Sequence, residues 1–491
     1  MGPKIKDYFF SFLSIAVNIG CNLVMVPLYV KYFGTINYGV WIIINTILQY
    51  LMLANFGLPT ALTTIATNSS NPEDVIEVFR KSLNIMVSIA SVLLGIIALL
   101  YFGRILPFEF FFGKTAQTQF YGTVLFLTIA FYLLRAPFQL GSSVFLILGK
   151  VALSKKYEIV NNLIIPASFV VTYYYKGNIS FYSVCWSVLL VISSIVMYLH
   201  SRAYLFKTHQ VKIASSTVKY PQIMKISMGY FAISMGALLV WNTDNLVIVN
   251  FLKVSDVTSY SLTFRIFTAF FSVLFTLNAI LMPFYGKFNS NKDYDSIQKN
   301  FKNSLLLMTI IAGPLCLFIF LFSKEIFLIW TNNPVLYLGS NIFLFFGLYT
   351  IVLSCINSIS VLLSALKKVR LLVIATFTEG IANLILSILL IRKFGVIGVS
   401  IGTLLGSLIS LTLLCVFFKK EVGIPVKIPF GLLFRNVIML TLTIILVFLT
   451  SFTFFNILIK GLAFLIFSLI YLAVNSKDIF SIIKIRNGKF A

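Results

Sequence analysis

Long apolar runs, each close to the length that crosses a bilayer, follow one another along almost the whole sequence, and no other feature limits the fold as much. Runs of about 18 residues or more fall near 8–30, 39–64, 82–102, 120–148, 157–175, 181–200, 226–251, 260–285, 304–323, 340–364, 371–391, 396–418, 435–455 and 457–474. A hydrocarbon core about 30 Å thick is spanned by about 20 helical residues. With 59% apolar and only 11% charged residues, and a mean hydropathy of +0.99, the chain has too little polar surface to face water. The expectation is an all-α polytopic membrane protein with about fourteen transmembrane helices.

Membrane topology also accounts for the net charge of +24, which in a soluble chain would suggest nucleic acid. With the N-terminus in the cytoplasm, 27 Lys and Arg fall in inner segments and 9 in outer ones, and only Arg135 and Arg265 lie within spans. The positive-inside rule then places both termini in the cytoplasm. Cys21, Cys185, Cys316, Cys355 and Cys415 sit in apolar stretches without metal-ligand spacing and read as small apolar residues.

The sequence repeats itself. Phe79 and Phe301, Ser82 and Ser304, and Met86 and Met308 are each 222 residues apart, as are Tyr38 and Tyr260. Glu158 and Asn162 recur 221 residues later as Glu379 and Asn383. A nearly constant offset over so long a stretch indicates a duplication. The expected domains are six-helix lobes at 1–200 and 226–420, a cytoplasmic linker at 201–225, and two additional helices with a cytoplasmic tail in 421–491. Six helices per copy make the repeats parallel, an arrangement that places substrate sites between halves. Asn71-Pro72 with Glu73 and Asp74 signals a short cytoplasmic helix. Gly398, Gly402 and Gly406 share one helix face and suggest close helix packing.

Chemistry must come from the few polar groups in the spans. There is no phosphate-binding Gly-x4-Gly-Lys-Ser/Thr loop, no metal cluster, and no catalytic triad or carboxylate pair, so no cofactor and no enzymatic reaction are expected. Each buried charge costs about 2.5–3.5 kcal/mol at the centre of a span, so it should face a cavity or a partner. Arg135 lies mid-run before Ala136-Pro137 and is a candidate for a solvated substrate path. Asp244 and Arg265 flank the turn near Ser255 at matching depth. They form either a plain ion pair or an anion site in which Arg265 binds and Asp244 positions it or exchanges a proton. Asn22 and Asn245, with Asn18 and Asn242, form a polar layer that can bond helices or substrate. Trp241 could stack on a sugar. Glu158 and Glu379 are expected to fix the same turn in both lobes.

KYFGTINYGVWIIINTILQYLMLANFGLPTAL, with its Tyr38-Gly39-x-Trp41 turn and Phe56-Gly57-Leu58, resembles the opening hairpin of bacterial polysaccharide repeat-unit flippases. DNLVIVNFLKVSDVTSYSLTFRI is similar to their seventh-helix segment. These flippases belong to the superfamily that includes multidrug extruders and lipid II flippases. The resemblance covers the first twelve helices and implies two six-helix bundles around a central cavity that opens alternately to each side, without an ATPase. It implies as substrate an undecaprenyl-pyrophosphate-linked oligosaccharide such as an O-antigen unit, moved to the outer leaflet of the bacterial inner membrane. A polysaccharide polymerase and a chain-length regulator are the partners it implies. Cationic cavity residues are common there, and Arg135 and Arg265 are this chain's candidates.

Two other readings stay open. A drug or cation antiporter of the same fold would need a carboxylate-rich cavity, for which only Asp244 qualifies. A membrane polysaccharide polymerase would present a large, arginine-bearing outer loop, whereas the stretches around 103–119 and 324–339 are short.

Overall fold

The computed structural model describes residues 5–68, 72–106, 108–112, 117–208, 220–279, 281–366, 368–431 and 457–476. These are almost entirely helical: α1 (Ile5–Leu51), α2 (Leu58–Asn68), α3 (Pro72–Phe102), α4 (Phe108–Phe112), α5 (Thr118–Arg135), α6 (Leu140–Ile147), α7 (Val151–Tyr174), α8 (Ile179–Thr208) and α9 (Tyr220–Phe251). They continue as α10 (Val254–Ala279), α11 (Met282–Ser290), α12 (Tyr294–Leu321), α13 (Ser323–Thr331), α14 (Ser340–Ala365), α15 (Val369–Phe394), α16 (Val396–Val422) and α17 (Ile457–Val474). Helix occupies every expected run except 435–455, which lies outside the described residues. Among those residues, ten helical segments are long and apolar enough to cross a membrane. The 24-residue α7 is long enough too, at about 36 Å, although Glu158, Asn161 and Asn162 lower its hydropathy. The protein is a multi-pass membrane protein.

The chain divides into two compact units, 1–258 and 259–491. In the first, α9 packs on α1 and α2, so the division falls within α10 rather than in the expected linker at 201–225. The described part of that linker is helical, extending α8 to Thr208 and opening α9 at Tyr220. The helix start at Pro72 is where the sequence signal puts it, but no separate short helix forms there: α3 runs on unbroken for 31 residues.

Backbone breaks shape the first unit. In α1, Gly34 adopts φ 80° and ψ 166°, values that glycine reaches without a Cβ clash. The chain folds back there, bringing the rings of Tyr29 and Tyr38 to 5.9 Å. Trp41 sets its edge on Tyr182 and Trp186 at 5.0 and 5.2 Å. Gly39 gives room for α10: a Cβ on it would lie 2.5 Å from the Val254 carbonyl. A second break, the 3-10 turn Met52–Asn55, ends with Phe56 left-handed and Gly57 at φ +71°. A Cβ at Gly57 would meet the Ser227 carbonyl of α9 at 2.7 Å. Pro137 makes the third break, a 3-10 turn from Ala136 to Gln139 between α5 and α6.

In the second unit, α15 and α16 form the tightest hairpin. Cβ atoms at Gly398, Gly402 and Gly406 would fall 2.4, 2.5 and 3.0 Å from atoms of Leu390, Ser387 and Asn383, respectively, so the glycine face lets the two backbones touch. Asn278 on α10 donates to Asn357 Oδ1 and Ser358 Oγ on α14, and Ser304 on α12 donates to Asn278 Oδ1. Phe301 of α12 stacks on Phe418 of α16, 5.6 Å apart and nearly parallel. The last helix, α17, docks on α12 through Tyr471, whose hydroxyl donates to the Thr309 carbonyl at 3.0 Å, and pairs Lys460 with Glu325 at 2.7 Å.

The duplicated positions behave alike where they are apolar or small. Phe79, Ser82 and Met86 on α3 are buried, and so are Phe301, Ser304 and Met308 on α12. The repeated glutamates differ: Glu158 is partly exposed and paired with Lys155 at 2.6 Å, whereas Glu379 is buried. They do not fix the same turn in the two copies, because only the first has a lysine one turn away to hold its carboxylate at the surface.

Candidate functional site

Arg135 ends α5 at the point where Pro137 breaks the helix. Its side chain is half-buried, and its Nε donates to Ser194 Oγ of α8 at 2.8 Å. Among the described residues no carboxylate lies within ion-pairing distance of the guanidinium. One edge of the fork is thus anchored by a neutral hydroxyl on a fully buried serine, which fixes its direction without cancelling its charge. A planar guanidinium held this way can still engage two oxygens of an anion. The Ser193-Ser194 doublet within the apolar run of α8 is visible in the sequence, but nothing there marks it as the partner of Arg135.

A second polar group lies where α9 crosses the returning half of α1. Asn245 Nδ2 donates to Thr46 Oγ1 at 3.0 Å, and the hydroxyls of Tyr50 and Thr243 are bonded at 3.0 Å. Asp244 is buried beside them, near enough to Tyr50 for its charge to act on that hydroxyl. Trp241 precedes Asn245 by one turn on α9 and is half-buried. Asp244 and Asn245 are therefore brought together with Thr46 and Tyr50, two residues that the sequence alone did not mark.

Asn22 is placed differently. Its Nδ2 bonds the carbonyl and the side-chain oxygen of Asn18, and Asn18 in turn donates to Asn162 Oδ1 on α7 at 3.2 Å. The polar layer on α1 therefore serves the α1–α7 contact, and Asn161 continues it to Ser193 of α8. Arg265 belongs to the second unit, half-buried on α10, where Thr268 donates to its carbonyl at 3.0 Å. At the repeat offset of 222, Arg135 falls on Asn357, a neutral member of the buried amide and hydroxyl group. The arginine is thus a feature of the first copy. Among the described residues no group of three or more His, Cys, Asp or Glu side chains could hold a metal ion.

Residues 231–389 match the MatE family model. The "Putative O-antigen transporter" of Salmonella typhimurium is 23% identical over 406 residues, covering 80% of this chain and 91% of its own length. The protein of the same description from Salmonella typhi is 20% identical over 412 residues, with the same coverage. The matched stretch covers about a third of the chain, and both relatives are similar to it over most of their length. A structure described as "Lipid II flippase MurJ, inward closed conformation" shares the fold, with a TM-score of 0.71 and 19% identity over 97% of this chain and all of that one. An inward-facing multidrug resistance MATE family transporter of the MOP superfamily matches at a TM-score of 0.69 and 12% identity, over 82% and 94% of the two chains.

Proposed function

We propose that this protein is a member of the multidrug/oligosaccharidyl-lipid/polysaccharide exporter superfamily that translocates undecaprenyl-pyrophosphate-linked oligosaccharide repeat units from the cytoplasmic to the outer leaflet of the bacterial inner membrane. The observation that carries the reading is Arg135: a half-buried guanidinium within a membrane span, tied to Ser194 and free of any carboxylate among the described residues. A cation kept unneutralised in such a place is costly unless an anion is its partner during work, and a lipid-linked diphosphate is an anion that must pass this depth. The names of the O-antigen transporter relatives and of the lipid II flippase support the same substrate class.

In this reading Arg135 grips the diphosphate, and Arg265 on α10 is a cationic substrate contact. Asp244, Asn245 and Trp241 meet the sugars or the phosphate along α9, and Asn22 meets them along α1. The excess of basic residues in the inner segments, 27 against 9, supports an orientation with both termini in the cytoplasm. Moving about two negative charges outward at an inside-negative 100 mV is favourable by about 4.6 kcal/mol, so the membrane potential or an ion gradient drives alternating access. A polysaccharide polymerase and a chain-length regulator are the partners that consume the product.

The test is deletion of the gene in its host, followed by complementation with Arg135→Ala. Single lipid-linked repeat units should accumulate on the cytoplasmic leaflet in both strains, with the variant protein at normal abundance. Normal surface polysaccharide with altered drug sensitivity in the deletion strain would instead indicate an antiporter.

A further inference from the structure

The first unit contains an apolar cavity of about 490 Å³ that owes its existence to the break after α1. Where Met52–Gly57 leaves the helical path, Phe56 swings onto Phe231 of α9, the two rings stacking at 5.0 Å and 20°. Gly57 lets the turn approach α9 to a distance at which no side chain fits. The turn leaves a groove against α3 whose walls include Tyr50, Phe56, Ile89, Val92, Leu93 and Phe231. The groove opens along α3, a helix long and apolar enough to cross a membrane, where Val87, Val92, Ile96 and Leu99 are 46%, 60%, 47% and 75% exposed. An apolar void on a lipid-facing helix offers water no polar partners, and its walls gain dispersion contacts only when hydrocarbon fills it.

The groove has a charged end. Lys81 lies seven residues before Ser88 on α3, and Lys225 six residues before Phe231 on α9, about 9–11 Å along each helix. The Lys81 ammonium sits 5.5 Å from the Tyr220 ring centroid, which joins these two helix ends, and it also pairs with Glu77 at 3.3 Å. Arg80, next to it in sequence, and Lys225, on α9, are exposed. Among the described side chains at this end, Arg80, Lys81 and Lys225 stand against Glu77.

From this we infer that the groove between α3, α9 and the 52–57 turn seats one acyl chain of an anionic phospholipid, whose phosphate lies against Arg80, Lys81 and Lys225. A resident phospholipid fits better than the transported lipid. The basic residues stand at the membrane edge, where a resident headgroup stays, whereas a translocated diphosphate must leave it. The assignment does not depend on the proposed function.

The test uses the purified full chain in phosphatidylcholine vesicles containing a trace of phosphatidylglycerol with a photoreactive acyl chain. Labelling is mapped by peptide and compared with photoreactive phosphatidylcholine and photoreactive undecaprenyl phosphate. Phosphatidylglycerol should label residues 88–93 and the peptide around Phe231 several-fold more than phosphatidylcholine. Lys225→Gln should cut that preference about fivefold, the effect of one basic residue at an anionic headgroup. Val92→Trp should fill the groove and abolish the label there. Equal labelling by the two phospholipids, a preference unchanged in Lys225→Gln, or stronger labelling of the same peptides by undecaprenyl phosphate would each overturn the assignment. Lys225→Gln lies on an exposed side chain, so its readout stands even where the tryptophan variant fails to fold.

Discussion

The carboxylate of Asp7, buried on the first helix, accepts the backbone N–H of Ala152 at 2.9 Å and so caps the start of α7 from 145 residues away. An uncapped first turn leaves amide donors without partners, and here α1 supplies the acceptor that Lys150, at the cap position, does not. Replacing Asp7 with Ala should cost about 0.5–2 kcal/mol, with Asn keeping part of the cap. The readout is the thermal melting of the purified protein in detergent, with the order wild type, Asn, Ala. An Asp7→Ala variant that melts with the wild type would refute the capping role.

Arg135→Ala should abolish repeat-unit export at normal abundance. Arg135→Lys should restore little of it, because an ammonium cannot engage two phosphate oxygens as a fork does. Ser194→Ala releases the Nε anchor but keeps the charge, so its export should fall between the two. Full export by Arg135→Ala would mean that the guanidinium only packs.

Asn245→Ala should weaken the α1–α9 contact by about 0.6 kcal/mol, the usual worth of one hydrogen bond between spans. If Asn245 serves only that contact, Thr46→Val should reproduce its effect on melting and on export. A larger export defect in Asn245→Ala at equal stability would assign it a substrate contact.

Gly402→Ala places a methyl 2.5 Å from Ser387 Oγ and 2.8 Å from its backbone nitrogen. The α15–α16 hairpin must then separate, at a cost of about 1–3 kcal/mol. Reduced membrane abundance and a lowered melting temperature should accompany the change. Gly423→Ala, where nothing lies near the added carbon but φ is +68°, should act through backbone strain alone.

Asp293, at the cap of α12 and outside the span, accepts the Ser296 N–H at 3.1 Å. Bonds from Ser296 hold its carboxyl below the ordinary value of 3.8. A lowered folded pKa means that the cap's contribution is fully present above that ordinary value and is lost as pH falls through the lower, folded one. Amide exchange at Ser296, corrected for intrinsic rate, should accelerate only in that acid window, and Asp293→Ala should remove the pH dependence.

Much of the fold is legible in the sequence because membrane spans obey a length rule and an apolar rule at once. The glycine face at 398, 402 and 406 is readable for the same reason, since small residues at that spacing have few other uses in a span. Arg135 is legible as an expensive charge, and Pro137 as the break beside it. Ser194 is not, because a serine in a span can bond its own backbone as readily as a neighbour. The unequal fates of Glu158 and Glu379 are hidden for a related reason: matching residues in a duplication inherit a position, while their surroundings depend on lysines that only one copy kept. The turn at 52–57 escapes because Met52-Leu53-Ala54 is as apolar as the helix before it.

The reversal at Gly34 joins two crossings without an intervening loop, leaving little more than the exposed Lys31, Gly34 and Ile36 for an aqueous reagent to reach. Epitope tags or protease sites inserted there would pry apart the Tyr29–Tyr38 stack that closes the turn. Single cysteines at positions 31 and 36, read with a membrane-impermeant maleimide, are the way to learn which side of the membrane this end faces.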